Sequence, residues 1–565
     1  MKKFNDIKYV RPDYESTKEK IDTLITDLKN CSNIEEFLKI VKEINEIQNK
    51  IEEMYDYADI NNMRALNDEF YKEEIEYWNA FKPKFDLLFK PFYQIMITSS
   101  FKDQLVGLIP ENFFNTILSK SKITSDDVLV LEQRENELKL EYRNLKKSTI
   151  MFEGEKLTLS NVSKYFTSND RDMRKKAHDA VNEYYYINSK KYSHVLYELI
   201  QVRNEIARRL GFNDASEYSL HSLRRFGYDY KDISLFRNNI VKYFSPLCER
   251  IDDIKKEELG LEKMEYFDTV FFKESPEPLY KNEELLNRLK EVFTSIDSKL
   301  GKLYSDLLEN GYIDFCTRED KVSFSITNYL VCECLPVITG NYKGIYNDIL
   351  TTTHEVGHSY QKYIAGIEDK KHIVSSLLKY PTFEIAEMFS YAMQLIATDY
   401  VDSIFSLDDF EKYKLLFICN LITTMPYICL IDEFQETIYK KKDLKEEEIG
   451  KIFINLSKKY KLYDGYIGNK NLEEGNYYFR QTHVYSDPFY YIDYALSYFG
   501  AFAIWNKSKE NLDLFEKVAA VASYYPFKKI IELYDMPNPF TEDAFKDVSE
   551  MLNQKIDEFK LKRKK

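Results

Sequence analysis

The string His354-Glu355-Val356-Gly357-His358 carries the residues best suited to chemistry in this chain. Residues four apart on an α-helix project from one face, so the two imidazoles can share one metal ion. Zinc suits the pair, because three protein ligands leave a fourth position for water, whose pKa the metal lowers to about 7. Glu355, next to the first histidine, is then the expected general base. That chemistry is hydrolysis. The residue six positions beyond His358 is Ile364, which excludes a histidine or aspartate ligand in that register. A third ligand is therefore expected from a later helix, which Gly357 would allow to cross closely. Pro381-Thr382-Phe383-Glu384-Ile385-Ala386-Glu387-Met388 opens such a helix, with proline suiting its first turn. Glu384 is the expected metal ligand, and Glu387 an outer acceptor that holds a ring or another polar group in place.

A second constellation stands near the C-terminus: His483-Val484-Tyr485-Ser486-Asp487-Pro488-Phe489-Tyr490-Tyr491-Ile492-Asp493-Tyr494. A histidine, a turn and closely spaced tyrosines can donate hydrogen bonds to an oxyanion, where one donor is worth roughly 3 kcal/mol. Ahead of the histidine helix, Val322 to Thr339 is rich in β-branched residues and predicts a small sheet. Val337-Ile338-Thr339 is its expected edge, against which an extended substrate backbone could pair.

These groups need rigid elements to hold them. With 16 glycines and 14 prolines in 565 residues, and Leu, Ile, Lys and Glu at helical spacing, the class is mainly α. Ser16 with Glu19 reads as a capping box before the stripe Ile21, Leu24, Ile25 and Leu28, and Phe37, Val41 and Ile44 repeat the spacing after Asn33. Ser148 to Leu159, turning at Glu153-Gly154, reads as a hairpin. Arg171, Arg174, Arg203, Arg208 and Arg209 are expected on solvated helix faces. The expected organisation is an N-terminal helical region over 1–200, with the hairpin near 148–159, and a catalytic domain over 201–565 packed with it as one body.

Ninety-four acidic against 80 basic residues, a net charge of −14, argue against a nucleic-acid partner. No apolar run follows Met1-Lys2-Lys3, and no stretch approaches eighteen uninterrupted apolar residues, so a cytoplasmic protein with no membrane partner is expected. Seven scattered cysteines fit a reducing compartment; Cys332 and Cys334, one residue apart, would face the same side of a strand.

Taken together, the two constellations resemble the oligoendopeptidase F branch of the thimet oligopeptidase family of zinc metallopeptidases. Tyr9-Val10-Arg11-Pro12-Asp13, the Lys146 to Leu159 hairpin, Asn204 to Gly211 and the Asp314 to Lys321 approach follow the same pattern in order, covering nearly the whole chain. The resemblance implies a helical zincin-type fold with a small β-sheet beside the active-site helix and a deep substrate channel that admits short unstructured peptides. It implies one Zn²⁺ held by His354, His358 and Glu384, with Glu355 as base. His483 would lie near substrate, Tyr491 and Tyr494 would stabilise the oxyanion and orient substrate, and Tyr485 and Tyr490 compete for the same register. The chain departs from the pattern at Ser323-Phe324-Ser325-Ile326-Thr327, where the family often has glycine and small residues. The rival readings are a zinc carboxypeptidase or dipeptidyl carboxypeptidase, and a catalytically silent zinc-stabilised peptide-binding scaffold.

Overall fold

The apolar stripes of the sequence are the faces that pack. Ile21, Leu24, Ile25 and Leu28 on helix Tyr14–Asn30 meet Phe37, Val41 and Ile44 on helix Ile34–Arg64, and Trp78, Phe81 and Phe85 on helix Glu69–Leu88 complete that core. Asn33 caps the second helix by accepting from Glu36 N at 2.9 Å. The cap of the first is Asp13 rather than Ser16: the Asp13 carboxylate accepts from Ser16 N at 2.8 Å, and the helix starts two residues before the expected box. The computed structural model describes residues 1–369, 380–508 and 511–563.

Two compact units divide the chain, each assembled from three separated segments. The first comprises Met1–Ser119, Glu277–Leu407 and Ser497–Pro537; the second comprises Lys120–Pro276, Asp408–Leu496 and Asn538–Lys565. This differs from the division expected at residue 200, where helix Ser189–Arg209 runs unbroken and Gly211 merely turns the chain into helix Ala215–Ser222.

In the first unit a three-stranded sheet supports the histidine helix. Its strands are β3 (Ile313–Asp314), β4 (Ile326–Leu330) and β5 (Leu335–Thr339), in the order β3-β5-β4, with β3 parallel and β4 antiparallel to β5. Val337, Ile338 and Thr339 therefore occupy the central strand, fully buried, and are not the expected substrate-pairing edge. A chain paired on both sides has no free ladder to offer. Arg64 ties the N-terminal helices to this strand, donating to Ile338 O at 3.0 Å and Thr339 Oγ1 at 3.1 Å. Cys332 and Cys334 lie in the turn between β4 and β5 rather than along a strand, and all seven cysteines are free thiols.

The second unit holds the expected hairpin: β1 (Thr149–Phe152) pairs antiparallel with β2 (Glu155–Thr158), and Glu153 and Gly154, both at positive φ, make the turn. Helix Leu407–Lys440 contains an 18-residue window long and apolar enough for a membrane span by composition, with mean hydropathy 1.8, but 78% of that window is buried within the fold. Its Asp432 carries an internal charge pair with Arg237, at 2.7 Å. Arg174 and Arg203 are also buried, contrary to the solvated faces expected for them, because each guanidinium answers internal acceptors; Arg203 Nε reaches Glu135 at 2.9 Å.

Candidate active site

Helix Asn347–Asp369 presents the two histidines. Its start is set by Asp348, whose carboxylate accepts from the backbone N–H groups of Lys343, Gly344 and Ile345 and so folds the preceding loop onto the first turn. Helix Phe383–Ala397 crosses it. A Cβ on Gly357 would lie 2.6 Å from Phe389 O and 2.7 Å from Ser390 Cα, so the crossing depends on glycine at that position. Gly357→Ala is expected to force the backbones apart, with an overpacking cost of about 3 kcal/mol; a lowered melting temperature with weakened metal retention is the measurable outcome.

The close approach decides which acid reaches the histidines. Glu387 Oε2 lies 3.4 Å from His354 Nε2 and 3.7 Å from His358 Nε2, and the ligand atoms these three residues offer all lie within 4.8 Å of one another. Ligand atoms placed tetrahedrally about 2.1 Å from one zinc ion are about 3.4 Å apart. Two imidazoles and a carboxylate at this spacing fit the ion. Burial pushes the pKa of both histidines down, His358 the further, which keeps the rings neutral and their nitrogens able to ligate.

The third ligand position thus belongs to Glu387, and the expected assignment of Glu384 as ligand and Glu387 as outer acceptor is corrected. Helix geometry gives the reason: Glu387 stands two residues before the crossing point at Phe389, whereas Glu384 stands one turn earlier, about 4.5 Å further along the axis. Ser390 Oγ donates to Glu387 Oε2 at 3.0 Å and holds the carboxylate. That hydroxyl, three residues after the correct glutamate, is a signal in the sequence that distinguishes the two acids.

Glu355 is buried, and burial raises its pKa from that of an ordinary glutamate. Thr327 on β4 donates to Glu355 Oε2 at 2.6 Å. This contact falls within the segment where the chain departs from the family pattern, and no spacing in the sequence marks it. Thr327→Val, which keeps the shape and removes the donor, is expected to lower kcat about tenfold with metal content unchanged, as the loss of one hydrogen bond to a charged group implies.

The second constellation lies in the second unit. Gln481 Nε2 lies 2.7 Å from His483 Nδ1, and Tyr427 OH donates to Gln481 Oε1 at 3.0 Å, so a chain of hydrogen bonds fixes the orientation of the imidazole. Burial lowers its pKa. Around this ring stand Tyr491, with centroids 4.7 Å apart, Tyr490 at 5.7 Å and Tyr494 at 6.1 Å. The Tyr491 hydroxyl is pushed up to about 12 by burial, so it stays protonated and able to donate. Tyr485 does not join them. It is fully buried, stacks on Tyr142 at 3.9 Å and donates to Tyr192 O, which makes it a core residue rather than the expected substrate contact. Neither Gln481 nor Tyr427 is marked by the sequence pattern.

A helical fold in which two histidines and a glutamate from crossing helices converge, with a second glutamate beside the first histidine, defines the class of His-Glu-x-x-His metallopeptidase folds. Residues 165–524 match peptidase family M3 and residues 4–124 match the peptidase M3 N-terminal domain; the chain belongs to peptidase family M3. Oligopeptidase PepF of Bacillus subtilis (strain 168) is 24% identical over 428 residues, which take in 71% of this chain; the chain spans 59% of the length of that curated relative. Among solved structures, PZ peptidase A with inhibitor 2 superimposes with a TM-score of 0.88 at 28% identity, over 98% of this chain and 99% of that one. The oligoendopeptidase-F of Enterococcus faecium, at 15% identity and a TM-score of 0.59 over 97% and 98% of the two chains, shares the fold.

Proposed function

We propose that this chain is a zinc-dependent endopeptidase that cleaves internal bonds of short, unstructured oligopeptides. The observation that carries the reading is the convergence of His354, His358 and Glu387 with Glu355 beside them on the same helix. Zinc, when held by these three side chains, supplies Lewis acidity for the scissile carbonyl and the attacking water. Glu355 takes the proton of that water on its carboxylate and passes it to the leaving amine, and Thr327 holds the carboxylate for both transfers. His483 and the hydroxyls of Tyr491 and Tyr494 are assigned as donors to substrate and to the developing oxyanion; burial keeps the Tyr491 hydroxyl protonated. Support for this part comes from the family pattern, from the packing of the tyrosines around the His483 ring and from the protonation that burial imposes on Tyr491.

A mass-spectrometric digest of peptides about five to fifteen residues long, alongside a folded protein and with and without chelator, tests the proposal. Internal cuts confined to the peptides and abolished by chelator are expected. Removal of C-terminal residues only, lost when the peptide is C-terminally amidated, would replace the reading with a carboxypeptidase.

A further inference from the structure

We infer that Arg225 is a positioning residue for the tyrosines around His483, acting through the backbone of Phe489 and the carboxylate of Asp493. The inference rests on the catalytic assignment of Tyr491 and Tyr494 proposed above, and adds to it the device that keeps those rings in place.

Between Ser486 and Tyr494 the chain makes a reversal in which Phe489 adopts φ 67°. A bulky residue in that left-handed region persists only where its surroundings over-determine it. Here both backbone polar groups of Phe489 are taken up by buried side chains. Its N–H donates to Gln435 Oε1 at 3.3 Å, and its carbonyl accepts from Arg225 Nη2. The same Nη2 donates to Asp493 Oδ1 at 2.7 Å. One nitrogen therefore grips the chain at residues 489 and 493; Tyr490 and Tyr491 lie between the two points, and Tyr494 follows directly. Arg225, Gln435 and Asp493 are all buried, at 3%, 0% and 0% exposure. Water cannot readily replace a lost bond there.

The upstream arm of the loop is held in the same way by a different element. Arg203 donates to the carbonyls of Val484 and Tyr485, and its own position is set by Glu135 at 2.9 Å and Tyr439 OH at 2.7 Å. With His483 oriented by Gln481 on one side and the tyrosine span bracketed by Arg225 on the other, the four rings have little freedom to reorient. A preorganised donor costs no reorganisation at the moment of reaction, which is the property an oxyanion-binding loop needs.

A double-mutant cycle tests the inference. Arg225→Met is expected to lower kcat about tenfold or more while KM changes less than kcat and metal content stays at one equivalent, a loss on the scale of one misplaced oxyanion donor. Arg225→Lys, which keeps the charge facing Asp493, is expected to recover part of that loss. In a Tyr491→Phe, Tyr494→Phe background Arg225→Met should add less than about threefold, because residues acting as one unit are not additive. Should Arg225→Met fail to fold, Gln435→Leu releases the other end of the Phe489 peptide without stranding a charge and is read against the same background. An undiminished factor in the tyrosine-deficient background, or wild-type kcat in Arg225→Met, overturns the positioning role while leaving the tyrosine assignment standing. Wild-type kcat in the double tyrosine variant itself removes that assignment and this inference with it.

Discussion

Glu355→Gln is expected to bind one equivalent of zinc and to turn over about 10³-fold more slowly, within the range that positioned general bases contribute. The substitution is close to isosteric, and its carbonyl oxygen can still accept from Thr327, so the helix and the metal ligands should be undisturbed. What disappears is the capacity to take a proton. Metal stoichiometry by atomic emission alongside kcat on a quenched peptide separates the two effects. Near-normal turnover in a metal-replete variant would remove Glu355 from the mechanism.

The second large effect distinguishes Glu387 from Glu384. Glu387→Ala takes away one of three ligand atoms and leaves Ser390 facing an empty carboxylate position, so zinc affinity is expected to fall by more than 100-fold, beyond the loss typical of an outer-sphere change. Glu384→Ala, one helical turn from the crossing side of the site, is expected to retain one equivalent of zinc through the same dialysis. Competition with a zinc chelator of known affinity measures both. Metal loss in Glu384→Ala with retention in Glu387→Ala would reverse the assignment derived from the crossing geometry.

The contrast between these two acids illustrates what a sequence carries and what it does not. His354, Glu355 and His358 were legible because their relation is local: four residues on a helix determine a shared face wherever the helix packs. The small sheet before that helix, the Glu153-Gly154 hairpin and the mainly helical class follow from equally local periodicities. Glu387 depends on where a second helix crosses, a distance set by Gly357 against Phe389 and Ser390, and without that distance Glu384 read as the ligand. Strand order is likewise non-local, so Val337 to Thr339 read as an edge although β3 and β4 enclose them. Tyr485 and Tyr491 share a residue type and a loop, and only packing against Tyr142 separates the core ring from the one beside His483. Buried arginines are the hardest case, since Arg174 and Arg203 read as solvated charges until the carbonyls they hold are known.

The interleaving of segments bears on the order in which the protein can be made. His354, Glu355, His358 and Glu387 all belong to the middle segment of the first unit, yet Tyr360 on the same helix packs on Phe515 and donates to Glu516, which come from the last segment, Ser497–Pro537. A nascent chain synthesised as far as Leu496 therefore has its full set of metal-binding side chains before the histidine helix has its final packing partners. For the time the ribosome needs to add about forty residues, roughly two to eight seconds at 5–20 residues per second, that helix has an uncovered face. The first unit can be completed only once this late segment, Ser497–Pro537, has been added, and until then the helix that carries the metal-binding side chains lacks part of its packing.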